Sequence, residues 1–142
     1  MMPAIYLAGP LFSAAERIFN ASLAASLRKN GFRVFLPQEL DHEQDQRRLF
    51  ERLVAAIDET DLVMAVVDGA DPDSGTAWEM GYARAKDKPV VALRTDFRRR
   101  AETAAAGVNL MLYYGATIYL EAQEVEDEGL TKAIKEALSS TR

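Results

Sequence analysis

Cysteine is absent from this chain of 142 residues, and histidine occurs once, at position 42. The absence of cysteine excludes disulfide bonds and thiolate sites, and it is typical of proteins in a reducing compartment. His42 lies in a polar stretch without a partner pattern, so a Ser-His-Asp triad is implausible and a surface position is favoured. Any catalytic chemistry is therefore expected to depend on carboxylates.

Long apolar runs and strong positive charge are also missing. No stretch approaches 18 apolar residues, so we expect no transmembrane helix and no contact with a membrane. The first residues lack a charged leader before an apolar core, so we expect no signal peptide and a cytoplasmic protein. The formal net charge is -5, and the only basic run is Arg98–Arg100, beside Arg94. We therefore do not expect binding to a nucleic acid polymer, which needs several contacts to phosphates. The basic run itself suits either a solvent-exposed surface or a site that binds a phosphate group.

Several sequence motifs are absent as well. The chain has no Gly-x-Gly-x-x-Gly, no Gly-x-x-x-x-Gly-Lys-Ser/Thr and no Gly-x-Ser-x-Gly, which argues against dinucleotide, phosphate-loop and hydrolase-elbow sites. Asp68, Asp71 and Asp73 share one loop, but their spacing lacks the calcium-loop pattern and its terminal glutamate. We therefore expect no metal.

Short apolar runs alternate with helical patterns along the whole chain, which we interpret as one domain, residues 1–142. Ser13 and Glu16 form a capping box before the first helix. Continuously apolar strands separated by helices predict an α/β fold, a flavodoxin-like doubly wound five-stranded parallel sheet of order 2-1-3-4-5. The expected strands are 4–8, 33–36, 62–67, 90–93 and 117–120, and the expected helices are 13–30, 46–59, 75–86, a short one at 109–114 and a C-terminal one.

In that strand order, strands 1 and 3 flank the point where the winding reverses, and ligands bind at such points. The two loops that follow them are the least generic parts of the sequence, Gly9-Pro-Leu-Phe12 and Asp68–Glu79. The fold is therefore expected to bring these loops together.

Glu79 lies in the first turns of the third helix. It suits a solvent-facing glutamate near a helix N-terminus, and it also suits a nucleophile or general base. A nucleophile must be ionised at neutral pH, and we expect the helix dipole to favour that form of the carboxylate. Gly75 and Gly81 bracket it and allow close approach of a ligand or of backbone.

The neighbouring side chains have similar alternatives. Asp73 is a preferred residue type for a helix cap, and it could also accept hydrogen bonds from ligand hydroxyls, as could Asp68. Tyr6 suits a core position, and near the reversal point it could orient a carboxylate. Trp78 and Tyr82, spaced i and i+4, suit helix packing.

Three segments resemble the nucleoside 2-deoxyribosyltransferase family. They are Tyr6-Leu-Ala-Gly-Pro-Leu-Phe12, Asp61-Leu-Val-Met-Ala-Val-Val-Asp68 and Asp73-Ser-Gly-Thr-Ala-Trp-Glu-Met-Gly-Tyr-Ala83. Leu93-Arg-Thr-Asp-Phe-Arg98 and Val108-Asn-Leu-Met111 extend the match, which runs from about Tyr6 to Tyr119. The resemblance implies cleavage of the N-glycosidic bond of 2′-deoxynucleosides and transfer of the deoxyribosyl group to another nucleobase. It also implies a covalent intermediate and no metal or organic cofactor.

The resemblance also implies roles for individual residues. Glu79 would be the nucleophile, Asp73 would contact sugar hydroxyls and Tyr6 would orient the nucleophile. Asn109 and Met111 would complete the site of a neighbouring subunit, which implies at least a homodimer. The partners would be deoxynucleosides and free nucleobases. The remaining expected substrate-binding residues are Gln38, which resembles a base-contacting glutamine, and Gly9, Pro10, Phe12, Asp68 and Gly75 of the two loops.

One position departs from the family's pattern. Many members carry an aspartate eight residues before the one at the start of strand 3, where it assists the leaving base. Counting back from Asp61 gives Leu53 here. The base-side acid could instead be Glu51 in a shifted register, or one of three residues of the preceding loop: Glu39, Asp41 or His42.

Two rival functions remain on the sequence alone. Related hydrolases of nucleoside 5′-monophosphates typically carry basic residues after strand 1 and a serine in place of Asn109, whereas this chain has an uncharged loop and the asparagine. The Arg98–Arg100 run is the one feature that favours a phosphate-bearing substrate. A receiver-type signalling module would need acidic residues after strand 1, where this chain has Gly9-Pro10. The transferase is therefore favoured over both.

Overall fold

A computed structural model of the protein describes residues 2–98, 107–122 and 125–140. The strands are β1 (Ala4–Ala8), β2 (Arg33–Phe35), β3 (Leu62–Val66), β4 (Val90–Arg94) and β5 (Ile118–Glu121). The helices are α1 (Ala14–Lys29), α2 (Gln46–Glu59), α3 (Ser74–Ala85), α4 (Leu110–Gly115) and α5 (Asp127–Ser140), with a 3₁₀ turn at Pro37–Leu40.

The five strands form one sheet in the order β2-β1-β3-β4-β5, and every pair is parallel. Ile5 pairs with Leu62, and Val63 pairs with Val90, so β1, β3 and β4 form the centre of the sheet. These three strands are buried along their whole length, as expected for a parallel sheet with helices on both faces. The predicted flavodoxin-like α/β fold and its strand order are confirmed.

The predicted element bounds agree closely with the structure. The predicted β1 and α2 have the observed bounds, α3 begins one residue earlier than expected, and β4 extends to Arg94. The prediction of a polar loop from Gln38 was wrong at its start, because Pro37 begins a 3₁₀ turn that buries Leu40. Of the predicted connection 95–107, residues 99–106 lie outside the described part of the chain, including Arg99 and Arg100.

Side chains of alternate strand residues pack on opposite faces of the sheet. On one face, Ile5 and Leu7 pack with α1 and α5, together with Leu23 and Ile134. On the other face, Tyr6 packs in a cluster with residues of α2 and α3. The register of β1 therefore turns Tyr6 toward the helix that carries Glu79.

Helix starts are fixed by side-chain caps, each of which contributes about 1 kcal/mol. The capping box of Ser13 and Glu16 is present at the start of α1, as predicted. Asp45 caps α2, Asp73 caps α3 and Asn109 caps α4. The caps at Asp73 and Asn109 position the two segments to which the sequence assigns site residues. No helix in the described ranges combines the length and apolar character that a membrane crossing needs.

Candidate active site

Glu79 lies in the second turn of α3 and lines a cavity of about 250 Å³ between α2 and α3. The other lining residues are Phe50, Leu53, Val54 and Ile57 from α2, and Gly75 and Trp78 from α3. The cavity is at the carboxyl edge of the sheet, next to the point where the winding reverses. It is the place where the fold predicts a ligand site.

Tyr6 lies on β1 and packs against the helices that form the cavity, including α3, which carries Glu79. Its side chain is fully buried, and its ring stacks on Phe35 with the ring centroids 5.5 Å apart. The hydroxyl has no hydrogen-bond partner of normal geometry among the described residues. It is nevertheless close enough to Glu79 that each group shifts the pKa of the other. A phenol placed this way can strengthen its contact to Glu79 when the carboxylate is ionised.

The pKa of Glu79 is raised to about 7. Burial is the largest cause, and the negative charge of Asp73 raises it further, while the Tyr6 hydroxyl lowers it. Burial therefore outweighs the helix-dipole effect that the sequence led us to expect at Glu79. The dipole acts only within the first turn, whereas Glu79 follows the N-cap by six residues and is removed from water.

Asp73 caps α3 with one of its two carboxylate oxygens. Its Oδ2 accepts hydrogen bonds from the Thr76 backbone N–H at 3.0 Å and from the Thr76 hydroxyl at 3.2 Å. Its Oδ1 makes no hydrogen bond within the described residues, so it can still accept one from a ligand. The helix-cap interpretation of Asp73 is confirmed. Because the cap uses Oδ2, it is compatible with a hydrogen bond from a ligand hydroxyl to Oδ1.

Aromatic side chains form the rim of the cavity. Phe50 of α2 contacts Trp78 edge-on, with ring centroids 5.7 Å apart, and Trp78 stacks on Tyr82 at 5.3 Å. The Tyr82 hydroxyl donates to the Asp58 carboxylate of α2. The sequence predicted packing for Trp78 and Tyr82 from their spacing, but Phe50 was not among the expected site residues.

Leu53 stands where the family's pattern has an aspartate, and its side chain forms part of the cavity wall. The proposed substitutes are placed elsewhere. Glu51 pairs with Arg47, Glu39 pairs with Arg28, Asp41 pairs with Arg17, and His42 is exposed. None of these four described residues lines the cavity that holds Glu79.

Asp68 and Pro10 line a second cavity, of about 310 Å³, on the α1 side of the same sheet edge. The Asp68 carboxylate accepts from the backbone N–H groups of Thr95 and Asp96, at 2.6 and 2.9 Å, and from the Thr95 hydroxyl. Asp68 thus ties the end of β3 to the segment that follows β4. No local motif indicated these hydrogen bonds, because the partner residues lie 27 and 28 positions further along the chain.

Asp96 and Arg98 form an ion pair at the rim of this second cavity. Hydrogen bonds from Arg98 hold the pKa of the Asp96 carboxyl well below its usual range. Asp96 also accepts from the backbone N–H of Gly69 at 3.1 Å. Arg98, the described member of the predicted basic run, is therefore paired within the chain.

A buried amide network lies behind the loop that follows β1. Asn20 of α1 donates from its side-chain amide to the Pro10 carbonyl at 2.9 Å and to the Gln38 side chain at 3.3 Å. The Gln38 amide in turn donates to the Arg17 carbonyl at 2.9 Å. The network holds the β1 loop against α1 and occupies both ends of the Gln38 amide. Asn20 was missed at the sequence level because a single helical asparagine carries no motif.

Gly9 and Phe12 mark the two ends of the β1 loop. A Cβ at Gly9 would lie 3.2 Å from the Val66 Cβ, so the close approach of β1 to β3 favours glycine there. The Phe12 side chain is 77% exposed at the edge of the sheet.

Arg94, at the end of β4, is buried although it is an arginine. Its guanidinium donates to the carbonyls of Val67 at 2.7 Å, Gly69 at 3.0 Å and Arg98 at 2.5 Å. Its Nε has no partner among the described residues, and a Cβ at Gly107 would lie 2.5 Å from it. Arg94 therefore fixes the ends of β3 and β4 from inside. Nothing in the sequence indicated this burial, because Arg94 stands only four residues before the basic run Arg98–Arg100.

Asn109 and Met111 lie on the other side of α3 from Glu79. They line a groove of about 640 Å³ between α3 and α4, together with Met80 and Gly81. The Asn109 side chain caps α4 by accepting from the Met111 N–H at 2.8 Å, and the Met111 side chain is exposed. The structure thus brings Glu79, Tyr6, Asp73 and Gly75 together, and it places Asn109, Met111, Gln38 and Phe12 outside their cavity.

Within the described ranges, no group of three or more His, Asp or Glu side chains is arranged to hold a metal ion.

Comparison with known proteins places the chain in a family. The model of the nucleoside 2-deoxyribosyltransferase family matches residues 5–111. A protein of Thermofilum pendens, named as a candidate 2′-deoxynucleoside 5′-phosphate N-hydrolase, is 29% identical over 109 residues, covering 72% of this chain and 73% of that protein.

Solved structures agree with this placement. A conserved protein of Enterococcus faecalis V583 has a TM-score of 0.77 at 30% identity, over 96% of this chain and 99% of that one. The 2-deoxyribosyltransferase of Bacillus psychrosaccharolyticus has the same fold, with a TM-score of 0.73 at 24% identity over 89% of each chain. Because the family model spans most of its length, the chain belongs to the nucleoside 2-deoxyribosyltransferase family, whose members are deoxyribosyltransferases and related N-glycosidases.

Proposed function

We propose that this protein transfers the 2-deoxyribosyl group between nucleobases of 2′-deoxynucleosides, with Glu79 as the nucleophile and without a metal or organic cofactor. The observation that carries the proposal is the grouping of Tyr6 and Asp73 around Glu79, at the mouth of an apolar cavity. Membership of the family supports it independently.

In the first step, an oxygen of ionised Glu79 attacks C1′ of the deoxyribose. A C1′–O bond forms as the C1′–N bond breaks, and the bonding electron pair leaves with the base, which must then gain a proton. The transition state resembles an oxocarbenium ion, so a nearby negative charge stabilises it. Glu79 supplies that charge, and Asp73 adds a second one close by.

In the second step, a nitrogen of the incoming base attacks C1′ and the Glu79 carboxylate leaves with its electron pair. The incoming base loses a proton, which balances the proton that the first base gained. Water would compete at this step and give hydrolysis. The aliphatic and aromatic cavity wall leaves few positions where water can bind, which favours transfer.

Tyr6 acts as a positioning residue in this proposal. Its hydroxyl lowers the pKa of Glu79, so it favours the ionised form that attacks C1′. The unbonded Oδ1 of Asp73 is available for a sugar hydroxyl. Gly75 lines the cavity beside Glu79, and its lack of a side chain leaves room for the substrate.

The other predicted substrate-binding residues receive two kinds of role. For Asp68, Gln38, Gly9 and Pro10 we propose support of the two loops, because their polar atoms or close contacts are occupied within the chain. Phe12 is exposed outside the Glu79 cavity, and we propose that it contacts the part of the substrate that extends beyond that cavity.

Asn109 and Met111 are proposed to complete the site of a second copy of this chain. Their position across α3 from Glu79 supports this, since they line a different groove from the one that holds the nucleophile. Leu110, Met111 and Tyr114 expose apolar surface there, which suits an interface.

Hydrolysis of nucleoside 5′-monophosphates is the second candidate function. The likeness to the Thermofilum pendens protein favours it, because that protein is named for a 5′-phosphate substrate. A phosphate needs cations or backbone N–H groups, however, and no described residue that lines the Glu79 cavity is basic. The described Arg98 is engaged by Asp96.

An exchange assay separates these functions. Purified protein is mixed with a panel of 2′-deoxynucleosides and labelled adenine or cytosine, with a control that lacks the acceptor base. Labelled deoxynucleosides establish transfer, and free base without labelled product establishes hydrolysis. Activity on 5′-monophosphates alone would exclude the proposed transferase. Glu79→Ala must abolish either activity if Glu79 is the nucleophile, and Glu51→Ala on the surface of α2 is the matched control.

A further inference from the structure

We infer that the cavity between α2 and α3 recognises the substrate's base by shape and apolar contact rather than by hydrogen bonds, and that Leu53 sets this selectivity. The inference rests on the proposed function for the assignment of Glu79 as the reacting group. It concerns a different property, namely which chemical groups on the base affect its binding.

The chemistry of the lining carries the first step. Of its seven described lining residues, Glu79 alone has an ionisable side chain. The one other polar side-chain atom is the Trp78 indole nitrogen, which is a donor only. Once the Glu79 carboxylate engages C1′, one N–H group remains to contact the edge of a base. Ring nitrogens and exocyclic groups of a base therefore gain almost no hydrogen bonds here.

The shape of the cavity carries the second step. Its volume of about 250 Å³ is below the range of roughly 300–1,000 Å³ that is usual for drug-sized ligands, so it suits one planar ring system. Phe50 and Trp78 present aromatic surface at the rim, and Leu53, Val54 and Ile57 present aliphatic surface inside. Stacking on aromatic side chains is tolerant of base identity, because every base has a π face.

Leu53 is the position where this selectivity is decided. It lies on α2, across the cavity from Glu79, and its side chain is partly buried. A side chain with hydrogen-bonding atoms at this position would distinguish bases by their polar edges, whereas leucine leaves those edges unpaired. Burying an unpaired polar group costs binding free energy, so exocyclic polar groups on a base add no affinity in this cavity.

The chain carries its own probe for the test. Trp78 is the single tryptophan of the sequence and lies on the cavity lining, so indole emission reports occupancy of this cavity. The intact protein is titrated with adenine, with unsubstituted purine and with benzimidazole, which keeps the ring shape but has fewer polar atoms. Excitation at the red edge of the indole band and free tryptophan as a reference correct for absorption by the ligands.

We expect saturable changes in Trp78 emission, with dissociation constants for the three ligands within about threefold of one another, because shape and stacking dominate. Leu53→Asn is expected to weaken benzimidazole binding about tenfold relative to adenine, because the asparagine amide can pair with the polar edge of adenine and not with the apolar edge of benzimidazole. Leu53→Ala keeps the wall apolar and should weaken all three ligands together. Ile18→Asn, on the exposed face of α1, is the control and should leave binding unchanged.

Adenine binding more than tenfold tighter than benzimidazole in the unaltered protein would overturn the inference. The absence of a saturable emission change with every ligand would overturn it too. The titration needs no turnover, so its failure is distinct from failure of the proposed function. Unselective binding without any exchange would support the inference about the cavity and refute the transferase. Exchange together with adenine-selective binding would support the transferase and refute the inference.

Discussion

The hydroxyl of Tyr6 and the carboxylate of Glu79 lie close enough to shift each other's pKa, yet the hydroxyl makes no hydrogen bond of normal geometry within the described residues. A buried hydroxyl without a partner is destabilising, so its retention needs a reason other than stability. We propose that contact with an ionised Glu79 during the reaction is that reason.

Replacing Tyr6 by phenylalanine should therefore separate stability from activity. We expect Tyr6→Phe to leave the free energy of unfolding unchanged or raised by up to about 1 kcal/mol, because an unpaired buried hydroxyl is removed. Activity should fall, and the pH at which Glu79 ionises should rise, since the hydroxyl lowers its pKa. Urea denaturation and a pH profile of kcat measure the two effects.

Phe35→Leu is the matched control for Tyr6→Phe, because it removes the ring that stacks on Tyr6 and keeps the hydroxyl. It should lower stability and leave the pH profile in place. An unshifted pH profile in Tyr6→Phe would contradict the positioning role.

The charge of Asp73 should set the acidic limb of the pH profile. With the pKa of Glu79 at about 7, activity is expected to rise as the pH increases through 7 and the carboxylate ionises. Asp73→Asn removes the negative charge that raises this pKa, so the limb should move to lower pH. Asparagine is also a good N-cap, so α3 keeps its start. A limb that stays in place would show that Asp73 does not act on Glu79.

Glu79 itself should make stability depend on pH. Its folded pKa of about 7 lies above the ordinary value of 4.5, so its contribution is fully present below pH 4.5 and is lost as the pH rises through 7. Glu79→Gln should thus stabilise the protein above pH 7 by about 1–3 kcal/mol and have little effect below pH 4.5. Urea denaturation at pH 8 and at pH 4 tests this, with Glu51→Gln as an exposed control. Equal stabilisation at both pH values would disprove the burial explanation.

The hydrogen bonds of Asp68 predict a structural role for it. Asp68→Ala removes the acceptor for Thr95 and Asp96 and should lower the free energy of unfolding by about 1–3 kcal/mol. Asp68→Asn keeps one oxygen acceptor and should cost less. Asp71→Ala, exposed in the same loop, serves as the control. Unchanged stability with a raised KM in Asp68→Ala would favour a direct contact with substrate instead.

The contact between Gly107 and Arg94 gives a steric prediction. A Cβ at Gly107 would lie 2.5 Å from the Arg94 Nε and 2.9 Å from its Cδ, and Arg94 is held in place by three carbonyls. Gly107→Ala should therefore destabilise the protein by about 1–3 kcal/mol. Gly115→Ala, which meets no atom within 4 Å, is the control and should be near neutral in a thermal melt.

Much of the fold could be predicted from the sequence, because its signals are local. The apolar run Ala4–Ala8 and the capping residue Asp73 each indicate their element without reference to distant residues. Strand order followed from the fold class. The shared edge of β1 and β3 then placed Tyr6 near Glu79 correctly.

What could not be predicted depends on contacts between distant residues. The raised pKa of Glu79 comes from burial between helices, and the burial of Arg94 depends on carbonyls from other segments. An apolar residue of an amphipathic helix, such as Leu53, is expected in the core, and only the packing of α2 on α3 shows that it lines a cavity. The hydrogen bonds of Asp68 likewise join segments that no motif connects.

The aromatic rim has a mechanical consequence. Phe50 meets Trp78 and Asp58 accepts from Tyr82, so α2 and α3 are joined at two points along the cavity. The width of the cavity between α2 and α3 is therefore set by two joined helices and not by a loop. Binding of a ligand in this cavity requires little ordering of the protein chain, so its affinity should depend on how well the ligand's ring fits. Contacts between α2 and α3 outside the cavity should also alter that fit.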